Sequence, residues 1–232
     1  SCAIDSSENV FCWGDGDSIG EGSLVADSST PIKVLAGDQT SGSGFLENVI
    51  DLGLGYSYSC ALTRTGSVYC WGTGSRIGGG ASTSTSYSPQ SVVTGEQGEA
   101  SGFLEDVRSL GIGMRNACAV TNSDELYCWG DRRGSGIGLG SGTLYSPVRT
   151  LSGQQGGGAY LLNVKMVSSG WNRSCAAIND GSAYCWGSSG DSFGHDGSDA
   201  STPVRILAGT QTAGNDGAYL GNVKEIQGSS LY

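Results

Sequence analysis

Apolar positions in this chain come in short runs and never in a sustained helical stripe. The clearest run is Val68-Tyr69-Cys70-Trp71, apolar at four successive positions and closed by Gly72. Ten residues before Cys70 a second run begins, Cys60-Ala61-Leu62, and the turn formers Arg64-Thr65-Gly66 lie between the two. Short apolar runs bounded by turn residues predict strands, and two of them about a tight turn predict a β-hairpin. A strand that is apolar at successive positions is buried on both faces. The pattern of residues 60–72 returns at 2–14, 118–130 and 175–187, each time with two cysteines ten positions apart and Trp-Gly after the second.

A period of about 58 residues follows from these copies, and a period in this range predicts a repeat architecture. All four prolines occupy one site of the repeat: Pro31, Pro89, Pro147 and Pro203. Each unit also carries an aromatic-Leu segment that begins at Phe45, Phe103, Tyr160 or Tyr219. One unit reads as four short strands: 49–53, the two hairpin arms, and a strand that follows the proline, as at 90–94. Four-stranded sheets stacked face to face around an axis make a propeller. The expected fold is therefore an all-β, propeller-type array of four-stranded blades in a single domain, 1–232. Its units are approximately 1–48, 49–106, 107–163 and 164–222. Residues 223–232 align with 49–58, as the start of a further unit or as a closing strand.

Between the third and fourth strands of each unit lies an Ile-Gly-x-Gly turn, at Ile19, Ile77 and Ile137, with the longer variant Phe193-Gly194-His195-Asp196-Gly197 in the last unit. A phosphate cradle would need a helix to follow the glycines. None is predicted here, so the motif reads as a structural turn with positive-φ positions.

The cysteines decide the compartment. Facing residues of an antiparallel pair are about as far apart as a disulfide requires. The constant spacing thus predicts four local bridges: Cys2–Cys12, Cys60–Cys70, Cys118–Cys128 and Cys175–Cys185. A zinc site would show close cysteine pairs and histidine partners, whereas the chain holds a single histidine, His195. Paired cysteines imply an oxidising compartment, so the chain is expected to be extracellular or displayed at a cell surface. The chain carries a formal net charge of -10, against nucleic-acid binding, and no apolar stretch long enough to span a membrane. The absence of an initiator Met and of an apolar leader suggests a mature or trimmed piece.

The repeated pattern Cys-Ala-Leu, glycine turn, Val-Tyr-Cys-Trp-Gly, Gly-x-Gly, Ser/Thr-Pro resembles the regulator-of-chromosome-condensation repeat family, and it does so from end to end. The resemblance implies a seven-bladed β-propeller. Four units do not fill such a ring, so the chain reads as a window of a longer propeller, a four-blade ring or an open arc. The cysteine-bearing version looks like secreted bacterial members. The family's nuclear exchange factor would imply an activity on a small GTPase. That activity is not expected here, because the chain lacks a basic tail and has paired cysteines. A propeller-type inhibitor of β-lactamase is similar in fold, which suggests binding through loops on one face.

Candidate chemistry is sparse. His195 with Asp196 lacks a nucleophile context and reads as a loop histidine. Asp15, Asp17 and Glu21 make a weak calcium candidate, with a solvated turn as the other reading. Asn172-Arg173-Ser174 is a glycosylation sequon. No cofactor and no catalytic activity are expected. The informative variation lies just before each first cysteine. There the equivalent connections carry Tyr56 and Tyr58, Met114 and Arg115, and Trp171 and Arg173. Such residues are enriched at interface anchors, and they also pack between blades. The expected role is a non-enzymatic binding or adhesion module for a protein or glycan. Alternatives are a structural subunit self-associating through blade edges and, more remotely, an inhibitor of a secreted enzyme.

Overall fold

The computed structural model describes residues 1–23, 26–40, 43–80, 85–131, 143–188, 199–209 and 218–228. Among the described residues the regular elements are fifteen strands and four three-residue 3-10 turns. The first sheet holds β1 (Cys2–Ile4), β2 (Val10–Gly14) and β3 (Ser28–Lys33). The second runs in order through β4 (Val49–Leu54), β5 (Tyr58–Thr63), β6 (Val68–Gly72) and β7 (Ser86–Ser91). The third holds β8 (Val107–Ile112), β9 (Asn116–Thr121), β10 (Leu126–Asp131) and β11 (Thr143–Arg149). The fourth holds β12 (Val164–Ser169), β13 (Arg173–Ile178), β14 (Ala183–Gly187) and β15 (Ala200–Arg205). All pairings are antiparallel between sequence neighbours, as in the blades of a propeller. The innermost strands β4, β8 and β12 pack side by side.

The hairpin register is the one the cysteine spacing requires. Cys2 faces Cys12, Cys60 faces Cys70, Cys118 faces Cys128 and Cys175 faces Cys185. All four pairs are bonded, with Cα atoms 4.0–4.1 Å apart. That is the close spacing of a non-hydrogen-bonded pair. In the first hairpin the flanking residues Ser1 and Trp13 exchange both backbone bonds, which leaves the neighbouring cysteines in such a site.

The fourth strand corrects the sequence reading. It does not follow the proline: β7 begins at Ser86 and contains Pro89. Cys70 pairs with Gln90 and Gly72 with Ser86, so Trp71 alone faces Tyr87, Ser88 and Pro89. The same bulge holds Pro31, Pro147 and Pro203. Proline, which has no N–H to give to a ladder, is tolerated at a bulge on an edge strand. The bulge also frees carbonyls for the preceding blade. Tyr87 O accepts from Gly22 N, and Pro89 O accepts from Asp38 N.

The core lies between sheets. Val10, Ile19, Val34, Leu46, Val49, Ala61 and Trp71 fill the layer between the first two blades. Leu62, Ile77, Val92, Leu104, Ala119 and Trp129 belong to the next layer, and Val120, Leu126, Leu161, Val167, Ile178 and Trp186 to the third. Trp71, Trp129 and Trp186 of the Cys-Trp-Gly motif are fully buried, whereas Trp13 of the first unit is half-buried. Trp71 Nε1 donates to Ser18 O at 2.8 Å, and Trp129 Nε1 donates to Arg76 O at 2.9 Å. Both acceptors sit in the 3-10 turn that leads into the Ile-Gly-x-Gly segment of the preceding blade, so that turn is the socket for the next tryptophan. Gly20 and Gly78 have φ of 80° and 68°. A Cβ on Gly78 would stand 2.9 Å from Trp129 Nε1, so side chain and conformation both exclude other residues. The copies at Ile137 and Phe193 lie outside the described residues.

Candidate functional site: the inner connections

Three equivalent connections join an innermost strand to the second strand of its blade. They are Gly55-Tyr56-Ser57, Gly113-Met114-Arg115 and Gly170-Trp171-Asn172. Gly55 packs against Tyr58 of the following strand, and Gly113 packs against the next connection. A Cβ on Gly113 would stand 2.3 Å from Gly170 O, which forces the connections into close file. Backbone bonds then link them in a row: Tyr56 N donates to Met114 O at 3.1 Å, and Met114 N donates to Gly170 O at 3.0 Å. Antiparallel connectivity puts all three at one end of the sheets, opposite the hairpin turns.

The side chains divide by register. Tyr56, Met114 and Trp171 occupy the same position. Tyr56 is 61% exposed and Trp171 40%, with Met114 half-buried between them in the row. Leu54, at the end of β4, adds a further exposed apolar side chain. Arg115 is half-buried and pairs with Asp131 of its own blade at 3.4 Å. The row offers aromatic and aliphatic contact area with a cation at its rim.

Tyr58 was expected with these residues, and the structure corrects that expectation. It is fully buried, because Ser57 turns the chain at φ 59° and returns it to the sheet. The Tyr58 hydroxyl reaches Gly113 O at 2.7 Å and Asn116 O at 2.8 Å, both in the next blade. Burial raises its phenol well above the usual range, so it stays a donor at any working pH. Asn116 holds the same register one blade on. Its Nδ2 donates to Ser174 Oγ at 2.9 Å, and Ser174 Oγ lies 2.8 Å from Ser169 Oγ. Arg173, half-buried at the start of β13, holds this register in the fourth blade. This second position joins blades, whereas the first faces outward.

The remaining candidates place as follows. Asp15 Oδ1 accepts from Asp17 N at 3.1 Å and caps the 3-10 turn at Gly16–Ser18, while Glu21 is exposed. Among the described residues no three His, Cys, Asp or Glu side chains converge as a metal site would require. His195 and Asp196 lie outside the described residues. Ser174 of the sequon is fully buried in the network above, and Asn172 is half-buried. Among the described residues no helix is long and apolar enough to cross a membrane.

Residues 49–76, which run from β4 through the socket turn, match the family described as Regulator of chromosome condensation (RCC1) repeat. Over those residues the repeat is of the RCC1 type. Among curated proteins, human E3 ubiquitin-protein ligase HERC2 is 28% identical over 216 residues, covering 90% of this chain and 4% of that protein. Protein RCC1 of Candida albicans is 30% identical over 149 residues, covering 60% of this chain and 31% of that protein. Among solved structures, yeast RCC1 (Prp20), crystallised bound to Kap60, superposes with a TM-score of 0.68 at 18% identity. That match covers 99% of this chain and 50% of the yeast chain, and it establishes the RCC1 propeller fold. The chain thus spans half or less of these proteins.

The sequence reading missed the sockets of the RCC1-type repeat, although their glycines were in view. It also missed a cation placed at one position of the outer strands, at Lys33, Arg149 and Arg205. Alignment of the four prolines brings these three into register and would have found them.

Proposed function

We propose that this RCC1-type propeller is a non-enzymatic, extracellular binding module that recognises a protein through the row Tyr56, Met114 and Trp171. The observation that carries the reading is the contrast within one repeat. The position that joins blades is buried and hydrogen-bonded at Tyr58 and Asn116, and the position two residues earlier is large and different in each blade, with Tyr56 and Trp171 exposed. Packing alone gives no reason to leave Tyr56 and Trp171 exposed. Aromatic side chains of this kind are typical anchors of protein interfaces. The crystallised pairing of yeast RCC1 with Kap60 supports a protein partner over a glycan. The four disulfides support an oxidising compartment.

The test uses a partner recovered from the extracellular fraction and measured by calorimetry. Tyr56→Ala and Trp171→Ala are each expected to weaken binding by about 2 kcal/mol, roughly thirtyfold, with the thermal midpoint unchanged. Affinity unchanged in both variants removes the row as the recognition surface. Competition by a glycan that leaves the protein contact intact would favour the glycan reading instead.

A further inference from the structure

At the hairpin-turn end of the sheets, away from the inner connections, the outer strands repeat a clasp. Lys33 Nζ lies 4.7 Å from the ring centroid of Phe45, the Arg149 guanidinium 4.7 Å from that of Tyr160, and the Arg205 guanidinium 4.8 Å from that of Tyr219. The backbone delivers the ring in the same way each time. The residue two positions after the cation bridges to the aromatic residue: Leu35 to Phe45, Leu151 to Tyr160, Leu207 to Tyr219. A cation over an aromatic face is attracted by the ring quadrupole.

The second blade keeps every part of the clasp except the cation. Val93 bridges to Phe103, so the ring arrives at the same place. The cation's position is Ser91, and Phe103 is left 45% exposed. The acid of this corner is present. Asp38 of the preceding blade accepts from Ser91 N at 2.9 Å, just as Glu96 accepts from Arg149 N at 2.8 Å one blade on. In that blade Arg149 also pairs with Glu125 at 2.7 Å. Tyr69 stands at the same corner, its proton held by burial and by the charge of Asp38. A shallow groove of about 400 Å³ lined by Tyr69, Gln39 and Glu47 adjoins this corner.

We propose that this corner of the second blade receives an arginine or lysine side chain of a partner polypeptide. The Phe103 ring supplies the face, as the rings of three sister blades do for their own cations, and Asp38 supplies the counter-charge at the place Glu96 holds for the third blade. The occupant's sign follows from those three copies and agrees with the net charge of -10, which attracts basic segments at long range. A guanidinium suits the place best, since it stacks on a ring and still directs hydrogen bonds at a carboxylate.

The experiment is a titration of N-acetyl-arginine amide into the isotope-labelled protein at low salt, followed by amide chemical shifts. N-acetyl-citrulline amide, of the same shape without the charge, is the control. The arginine compound is expected to give saturable shifts at Ser91, Phe103 and Asp38, and the citrulline compound binding weaker by about threefold or more. Ser91→Arg supplies the missing cation from within and should abolish the response. Phe103→Leu keeps apolar bulk without a ring face and should weaken it by about threefold. The proposal is overturned by an absence of saturable shifts at these amides, by an equal response to citrulline, or by a Ser91→Arg protein that responds like the parent.

Discussion

Replacing Tyr58 with Phe removes one oxygen from a fully buried side chain and leaves its shape intact. The lost hydroxyl serves Gly113 O at 2.7 Å and Asn116 O at 2.8 Å. Asn116 O also accepts from Gly113 N at 2.8 Å, so it remains paired. Gly113 O loses the tyrosine bond inside the layer between the second and third blades. A buried acceptor left without its partner costs about 1–3 kcal/mol. For a chain of 232 residues, each kcal/mol moves the thermal midpoint by roughly 2–4 °C, so a deficit near 2 kcal/mol predicts a drop of about 4–8 °C. Because burial keeps the phenol protonated, the deficit should be the same across neutral and mildly alkaline pH. Tyr56→Phe is the matched control. That side chain is 61% exposed, and its substitution should leave the midpoint unchanged. Differential scanning calorimetry of the two variants decides the matter. A Tyr58→Phe protein melting within about 1 °C of the parent would show that this bond does not join the blades, and the division between inward and outward positions would fail with it.

Gly78→Ala should cost more than Gly98→Ala in urea denaturation, by about 1 kcal/mol or more. Both have positive φ, but only at Gly78 would the new Cβ meet Val92 Cγ1 at 2.8 Å and Trp129 Nε1 at 2.9 Å. Peptide mapping without reductant should find only the four local cystine pairs. Under mild reductant with alkylation, the pairs with a partly exposed member, Cys2–Cys12 and Cys175–Cys185, should open before the fully buried Cys60–Cys70 and Cys118–Cys128. The Ser182 side chain and backbone N–H hold Asp180 below its ordinary value. A depressed carboxylate stabilises the fold above its unfolded value near 3.9, and that contribution is lost as pH falls through the lower folded value. The midpoint gap between the parent and Asp180→Asn should therefore be open at neutral pH and close on acidification.

Blade architecture and cystine pairing were legible because both are local and repeated. A hairpin with fixed cysteine spacing has one register, and four copies leave little doubt about the period. Pro89 misled because the rule for proline in strands allows either a strand start or a bulge, and only the pairing of Cys70 with Gln90 and Gly72 with Ser86 selects the bulge. Tyr56 and Tyr58 could not be told apart by pattern. Two residues of one type separated by one position share a face in a regular strand, but the positive φ of Ser57 breaks that rule. The partners of Tyr58 lie more than fifty residues away, beyond the reach of any local signal.

The tryptophan and its socket bear on how such a chain can change in length. Trp71 is lodged in the turn of the unit before it, while the turn at Arg76 receives Trp129 from the unit after it. At these two seams one unit brings the plug and the unit before it the receptacle, and neither contact depends on how many units stand in line. Copying a whole unit into the gene would leave each plug seated and each receptacle filled. Excising half a unit would strand an indole among apolar side chains with its N–H unsatisfied. Growth and shrinkage by complete blades should thus be tolerated, with the natural cutting points at the hydrogen-bonded seams and not within a sheet.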